Sequence, residues 1–334
     1  MSDSLLYKLN SGKPPKILFF LKGYLQMCIP DCFFGMRRKR YLRQVEERPD
    51  KAYIYERVDY YNKMQCPSAL PDTVLHEHKH SYYVYLDKIK KFHPSTFHKV
   101  YYFDLQDVAR WFNQNLRIGY IPGDVYFTPP FPAIVKSRLL KEDNEYSVVL
   151  KLDKLRHFMF VNDPVPFREK ADQAIFRGKI RLSRIREKFL RMYFDSSICD
   201  CGVVGKNEGY PEKWMAPKKT IREHLNYKFI MALEGMDVAS NLKWVMSSNS
   251  IAVMTQPTCE TWFMEGKLIP GYHYIRIQDD LSDLEEKLAY YIGHPEEAEQ
   301  IVHNAHAYVS QFFDKDRERL ISLLVMDKYF NMTK

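Results

Sequence analysis

The sequence predicts an α/β protein whose second half rests on a parallel sheet, and three observations carry that reading. From about residue 150, apolar strand candidates alternate with helical stretches, the rhythm of a parallel sheet covered on both faces. Two of those strands run into turns that hold glycine and basic residues, Arg177-Gly178-Lys179 and the segment after Gly235. Between residues 227 and 274 the chain spells a compact unit. It comprises a strand at Phe229–Leu233, Glu234-Gly235, and a helix opened by Asp237 that carries Ser240, Asn241 and Lys243 in its first two turns. A second strand, Ile251–Thr255, and an acidic-aromatic loop, Glu260-Thr261-Trp262-Phe263, complete it. Parallel sheets bind ligands beyond the carboxyl ends of their strands. A helix N-terminus placed there aims free N–H groups and a positive dipole end at an anion.

Taken in order, residues 16–36 are apolar but interrupted by Lys22, Pro30 and Asp31, which makes a poor spanning helix. The basic run Arg37-Arg38-Lys39-Arg40 follows. An apolar stretch beside basic residues suits an anionic membrane surface, so residues 16–40 are a candidate membrane-surface segment. A core helix with a solvated basic end fits the same residues. Residues 50–150 alternate short apolar runs (AYIYERV, SYYVYL, KVYYFDL) with turns, and 105–116 read as a helix between two strands. This predicts a first α/β domain over 1–150. His76-Glu77-His78-Lys79-His80 resembles a metal cluster, but lacks the spacing of the zinc-protease motif. A solvated loop or helix end explains it as well.

The later elements predict a second domain over 151–320 and a tail or helix over 321–334. A strand ends at Phe176-Arg177-Gly178, and a basic amphipathic helix starts near Ser183. CDCGVV, IAVMTQ and YHYIRI read as further strands. Ser282 and Glu285 have the spacing of a capping box, and Pro295 sits where a helix begins.

At 334 residues the chain can hold two full cores. A formal net charge of +8 favours an anionic partner without choosing it. No recognised nucleic-acid motif is present, so no nucleic-acid partner is expected. Six cysteines (28, 32, 66, 199, 201 and 259) form no disulfide framework. Without a clear signal peptide they point to buried free thiols in a reducing cytoplasm.

The chemical groups each have two readings. Arg177 can clamp a diphosphate while Gly178 lets the backbone come close, or Arg177-Gly178-Lys179 is a surface turn. Ser240, Asn241 and Lys243 are ordinary capping and polar residues unless Gly235 and a second basic turn lie beside them. Glu260 can bind ribose hydroxyls or pair with a nearby arginine. Asp124 and Asp163 are the acids best placed in turns to act as a general base, and either can simply cap its turn.

The C-terminal half resembles the family 90 glycosyltransferases over about 130 residues. The matching segments are AIFRGK (174–179), YKFIMALEG…ASNLKWVMSSNS (227–250), ETWFMEGKLIPGYHYIRI (260–277) and DLSDLEEKLAYYIGHPEEAEQI (280–301). VKSRLL (135–140) and RHFMFVNDPVPF (156–167) look like the bacterial lipopolysaccharide branch. The resemblance implies a GT-B architecture of two Rossmann-like domains facing across a cleft. It implies inverting transfer from a UDP-sugar, with the nucleotide held mainly by the C-terminal domain. Together with the apolar-basic segment 16–40, the expectation is a cytoplasmic enzyme, peripheral on the inner face of the bacterial cytoplasmic membrane, that extends a surface glycan, lipopolysaccharide core or capsule, at a hydroxyl. The nucleotide side maps to Arg177, Gly178, Lys179, Gly235, Asp237, Ser240, Asn241, Lys243 and Glu260. The animal relatives carry an arginine where this chain has Asn241. Their catalytic aspartate lies in an R-D-[YW]-P segment, where this chain reads FTPPFP (127–132), without an acid. Asp124 is then the nearest carboxylate and Asp163 the next. No metal and no other cofactor is expected. A module of the same fold that binds sugar nucleotide or glycan without catalysis is the alternative.

Overall fold

The computed structural model describes residues 15–79, 82–141, 143–180, 183–206 and 209–333, with side chains described outside 76–83. Two compact units divide them. The N-terminal unit holds 15–155 together with Thr258–Met264 and the chain from Phe312 onward. The C-terminal unit holds Arg156–Pro257 and Glu265–Gln311.

In the N-terminal unit, helices α1 (Lys16–Met27), α2 (Asp31–Arg43) and α3 (Lys51–Tyr61) precede the first strands. Its five-stranded sheet has the order β1 (Leu75–Lys79), β2 (Tyr82–Lys88), β3 (Arg117–Ile121), β4 (Ala133–Val135), β6 (Ser147–Val149). The first two pairings are antiparallel and the last two parallel. A separate antiparallel ribbon joins β5 (Ser137–Leu139) to β11 (Cys259–Thr261) and sets Arg138 opposite Glu260. Helix α4 (Lys99–Ala109) and the last helix, α9 (Lys315–Met332), complete the unit.

Two stretches depart from the expected pattern. The apolar runs AYIYERV and KVYYFDL lie in helices α3 and α4 rather than in short segments between turns. Helix α4 buries Val100, Tyr101, Tyr102, Phe103, Asp104, Leu105, Val108 and Ala109. A helix enclosed on nearly every side shows no polar stripe from which to read its period. Helix α3 does bury a helical stripe, Ile54, Arg57, Val58 and Tyr61, but a charge interrupts it. Arg57 is paired with Glu318 of α9 at 2.5 Å, 261 residues away. Backbone over His76–His78 is strand rather than helix. The rest of the His76–His80 metal candidate lies outside the described residues.

The C-terminal unit matches the α/β expectation closely. Its sheet is wholly parallel, in the order β12 (Ile275–Arg276), β10 (Ile251–Met254), β9 (Tyr227–Met231), β7 (Ala171–Gly178), β8 (Cys199–Val203). These strands are short apolar runs because both faces of the sheet are covered. Phe229, Met231, Ile251 and Val253 pack in one core with Phe189 and Leu190 of α5 (Arg184–Tyr193) and with Leu284, Leu288, Ala298 and Ile301. The last four belong to α7 (Leu284–Gly293) and α8 (Pro295–Ser310). Pro295 opens α8 as its position suggests.

Capping differs from the expectation. Ser282 donates to Asp280 at 2.7 Å, and Glu285 accepts from Ser196 at 2.9 Å, so they form no capping box. The capping box is at Thr220 and Glu223, opening the turn of helix Ile221–His224. The expected helix after Gly235 also starts late. Residues 235–241 are turn, and only α6 (Leu242–Met246) is helical, with Asn241 as its N-cap. The cysteines are free, but Cys28, Cys32 and Cys66 are exposed, and only Cys199, Cys201 and Cys259 are buried.

Candidate functional site

In the C-terminal unit the candidate residues gather beyond the carboxyl ends of β7 and β9. Arg177 and Gly178 end β7, with Arg177 opposite Gly202 of β8. A Cβ at Gly202 would collide with Ala216 at 2.3 Å, so glycine there lets Ala216 come close, while the Arg177 guanidinium carbon, at 3.5 Å, would be in ordinary contact. The Arg177 guanidinium donates to the Phe176 and Asp200 carbonyls at 3.0 and 2.8 Å and pairs with the Asp200 carboxylate. Its side chain is 8% exposed, and its Nε has no hydrogen-bond partner among the described residues. Asp200 also accepts from the Tyr227 hydroxyl and lies 3.3 Å from Lys219. Burial works to raise its pKa, but hydrogen bonds from Tyr227 and Arg177 outweigh it and hold Asp200 below the usual carboxylate range. Lys179 is exposed just past the strand end, 3.8 Å from the Cβ position of Gly205 in the turn after β8.

A residue the sequence reading missed ties the two strand-end turns together. Arg186 of α5 donates to the Leu233 carbonyl at 3.1 and 2.8 Å and to the Lys179 carbonyl at 3.0 Å. A Cβ at Gly235 would come within 3.2 Å of its guanidinium. Ser183 adds a hydrogen bond to the Glu234 carbonyl at 2.8 Å. The signal was present as a basic residue in the first turn of an amphipathic helix after RGK. Nothing in the linear sequence said which turn it would reach.

Of the turn that follows, Asp237 is buried and its carbonyl accepts from the Gly235 amide at 3.0 Å. Ser240 is half-buried, and Asn241 donates its amide to the Met231 carbonyl at 3.0 Å. Lys243 departs from its expected role. It is fully enclosed, and its ammonium pairs with Glu265, itself 1% exposed. A lysine so placed offers no charge at the surface, because burial of an ammonium demands a partner and Glu265 is that partner.

Two further carboxylates are enclosed. Asp163, expected as a possible base, is 1% exposed at its side chain. It accepts from Lys170 at 2.7 Å, from the Asn249 amide at 3.0 Å and from the Val165 amide at 3.1 Å. Its lone pairs are taken by a tie between two loops, which leaves no room for an acceptor hydroxyl. Glu260 lies on β11 in the N-terminal unit, where Arg138 donates to it at 2.7 Å and the Tyr60 hydroxyl donates to its other oxygen. Its side chain is 1% exposed, so of the two partners open to it, ribose or arginine, it has the arginine.

Asp124 is different. Its carboxylate is 29% exposed and pairs with Lys136, whose side chain is 1% exposed. The one Asp-x-Asp triplet of the sequence, Asp314-Lys315-Asp316, opens α9. There Asp314 caps the helix, accepting from the Asp316 and Arg317 amides at 3.1 and 2.9 Å, and pairs with Arg48 at 3.0 Å.

Comparisons with known proteins identify the family. Residues 149–333 match the glycosyl transferase family 90 domain. The chain is 36% identical over 322 residues to an O-glucosyltransferase, LpsA, of Dichelobacter nodosus, covering 95% of this chain and 96% of that protein. It is 24% identical over 164 residues to protein O-glucosyltransferase 3 of Rattus norvegicus, covering 48% of this chain and 32% of that one. A domain match over more than half of the chain and full-length similarity to a bacterial transferase lead to one conclusion: the chain is a glycosyltransferase and belongs to family 90.

Proposed function

We propose that this glycosyltransferase moves a hexose, with glucose the first choice, from a UDP-sugar to a hydroxyl of a bacterial surface glycan such as a lipopolysaccharide core. The observation that carries the reading is the full-length likeness to the Dichelobacter nodosus O-glucosyltransferase. The cationic strand ends at Arg177 and Lys179 support it, because a diphosphate leaving group needs positive charge where its own charge develops. A GT-B arrangement of the two units, with the nucleotide on the C-terminal one, belongs to the same proposal.

In this mechanism Asp124 takes the proton of the acceptor hydroxyl. The acceptor oxygen attacks the anomeric carbon from the face opposite the leaving group. The bond from that carbon to the β-phosphate oxygen breaks, and UDP departs with the electron pair. Arg177, Lys179 and the backbone amides of 235–241 stabilise that charge, so no divalent metal is needed. Lys136 holds the Asp124 carboxylate in place. Lys243 and Glu265 hold α6 rather than touch the donor.

The test is transfer by purified protein from UDP-glucose, UDP-galactose, UDP-N-acetylglucosamine and UDP-xylose to lipopolysaccharide core oligosaccharide, with and without EDTA. Thermal stabilisation ranks the donors, since a ligand at about 100 times its Kd adds roughly 2.7 kcal/mol. Stabilisation by a UDP-sugar with neither transfer nor hydrolysis would leave a binding module in place of an enzyme. Loss of activity in EDTA, restored by manganese, would remove the metal-free step.

A further inference from the structure

Helices α1 and α2 present an apolar surface that the other described residues do not cover. Their axes are bent by 94°. The inner face of α1 is clamped to the N-terminal unit: Phe19, Phe20 and Tyr24 pack edge-on against Phe103. A Cβ at Gly23 would lie 2.6 Å from that ring, so glycine lets α1 come close. Arg110 locks the bend, donating to the Gln26 and Ile29 carbonyls at 2.8 and 2.6 Å and to Asp31 at 2.9 Å. The outer face also carries large apolar side chains, beside the exposed Lys16 and Lys22. Ile17, Leu18, Leu21 and Leu25 are 74, 60, 53 and 60% exposed, and Phe33 and Met36 of α2 are 50 and 71% exposed. Contiguous exposed apolar surface of this kind marks an interaction site.

Charge decides what covers it. From residue 15 to 43 the chain carries seven basic residues (16, 22, 37, 38, 39, 40 and 43) and one acid, Asp31. That acid is spent on Arg110. Arg37, Lys39 and Arg40 are exposed on α2 beside Met36. Apolar side chains backed by exposed cations fit a surface that is apolar within and anionic at its edge. The element cannot span it. Helix α1 has 12 residues, and a spanning helix needs about 20. No single described helix is long and apolar enough to cross a membrane.

We propose that the outer faces of α1 and α2 form a rigid docking surface for an anionic lipid bilayer, with Leu18, Leu21, Leu25 and Phe33 entering the interface and Arg37, Lys39 and Arg40 meeting lipid phosphates. It does not rest on the donor or base assignments. Cosedimentation of the full-length protein with phosphatidylglycerol and phosphatidylcholine vesicles tests it. Binding to phosphatidylglycerol should be at least tenfold tighter. Replacing Leu18, Leu21 and Leu25 together by serine should cut binding at least tenfold while the melting transition stays in place, because these side chains make no core. Arg37→Gln/Lys39→Gln/Arg40→Gln should remove the salt-sensitive part of binding. Hydrogen exchange of the unaltered protein should show new protection over residues 16–36 when vesicles are added. The proposal is overturned if neither variant binds less, if the unaltered protein ignores phosphatidylglycerol, or if the leucine variant instead dissociates a dimer in light scattering while no vesicle is bound.

Discussion

Five acid–base pairs in this protein fall into two kinds. In Glu260–Arg138, Glu265–Lys243 and Asp163–Lys170, the carboxylate and its cation are both at most 1% exposed. In Asp124–Lys136 and Asp200–Arg177 the cation is enclosed, but the carboxylate is 29 and 25% exposed. The sealed pairs have no capacity left for a ligand and tie together residues 7, 22 and 122 positions apart. The open pairs keep an oriented carboxylate next to solvent, which is what acid–base chemistry requires. Four of the residues expected at the active site turn out to divide along this line, with Glu260, Lys243 and Asp163 sealed and Asp124 open.

The sharpest way to break the comparison is at Asp124. Asp124→Asn should cut turnover by about 10²–10⁴-fold, the range for a lost general base, and leave UDP affinity and melting temperature nearly unchanged. Near-normal turnover would return the base to another group, with His273 the next to examine. That histidine is buried, which lowers its pKa, and its Nδ1 accepts from the Ile269 amide.

The sealed pairs should answer in stability instead. Lys243→Ala and Glu260→Ala each strand a buried charge, an effect of about 3–5 kcal/mol, read by urea denaturation. Replacing Lys243 and Glu265 together by Met and Leu should restore much of it. If Lys243→Ala folds with full stability and binds UDP weakly, the pair is not sealed in solution.

Arg177→Ala should weaken UDP binding by about 1.5–3 kcal/mol, the scale of a hydrogen bond to a charged group. Calorimetric titration of Arg177→Ala and Arg177→Lys separates charge from the guanidinium fork: lysine restores only part of the affinity if both matter. Equal UDP affinity in all three proteins would remove Arg177 from the donor site.

A smaller effect concerns Asp104, enclosed in α4. Burial pushes its pKa up to about 7 against the pull of Lys154. A carboxyl whose folded pKa lies above its unfolded value stabilises the fold only while protonated. Its contribution is therefore full below about pH 4 and is lost as pH rises to about 7. Melting temperatures of Asp104→Asn and the unaltered protein should diverge in favour of Asn across that window and run parallel above it. Smallest of all, Thr220→Ala removes the capping-box hydroxyl and should cost about 1 kcal/mol, with no change in UDP affinity.

The parallel sheet was legible because its strands are buried on both faces. Such strands read as apolar runs: Ile251–Met254 and Cys199–Val203 fall within the expected segments, and Tyr227–Met231 lies two residues ahead of the expected Phe229–Leu233. Arg177-Gly178 at a strand end was legible for the same reason, since the apolar run stops there. The N-terminal helices were not. Helix α4 is enclosed almost all round, which erases its period, and the stripe of α3 is interrupted by Arg57, whose apolar neighbours and partner come from elsewhere in the chain.

The sequence by itself determined the α/β class, the order of strands and helices in the C-terminal unit, the family and the cationic turn at Arg177, because each is written in residues close together along the chain. Only the tertiary structure decided which charges are spent. Glu260 meets Arg138 from 122 residues away, Asp163 meets the Asn249 amide from 86 and Lys243 meets Glu265 from 22. A charged side chain becomes a ligand site or an internal tie according to what the fold brings against it, since burial forces pairing and a pair sealed from solvent leaves nothing for a substrate.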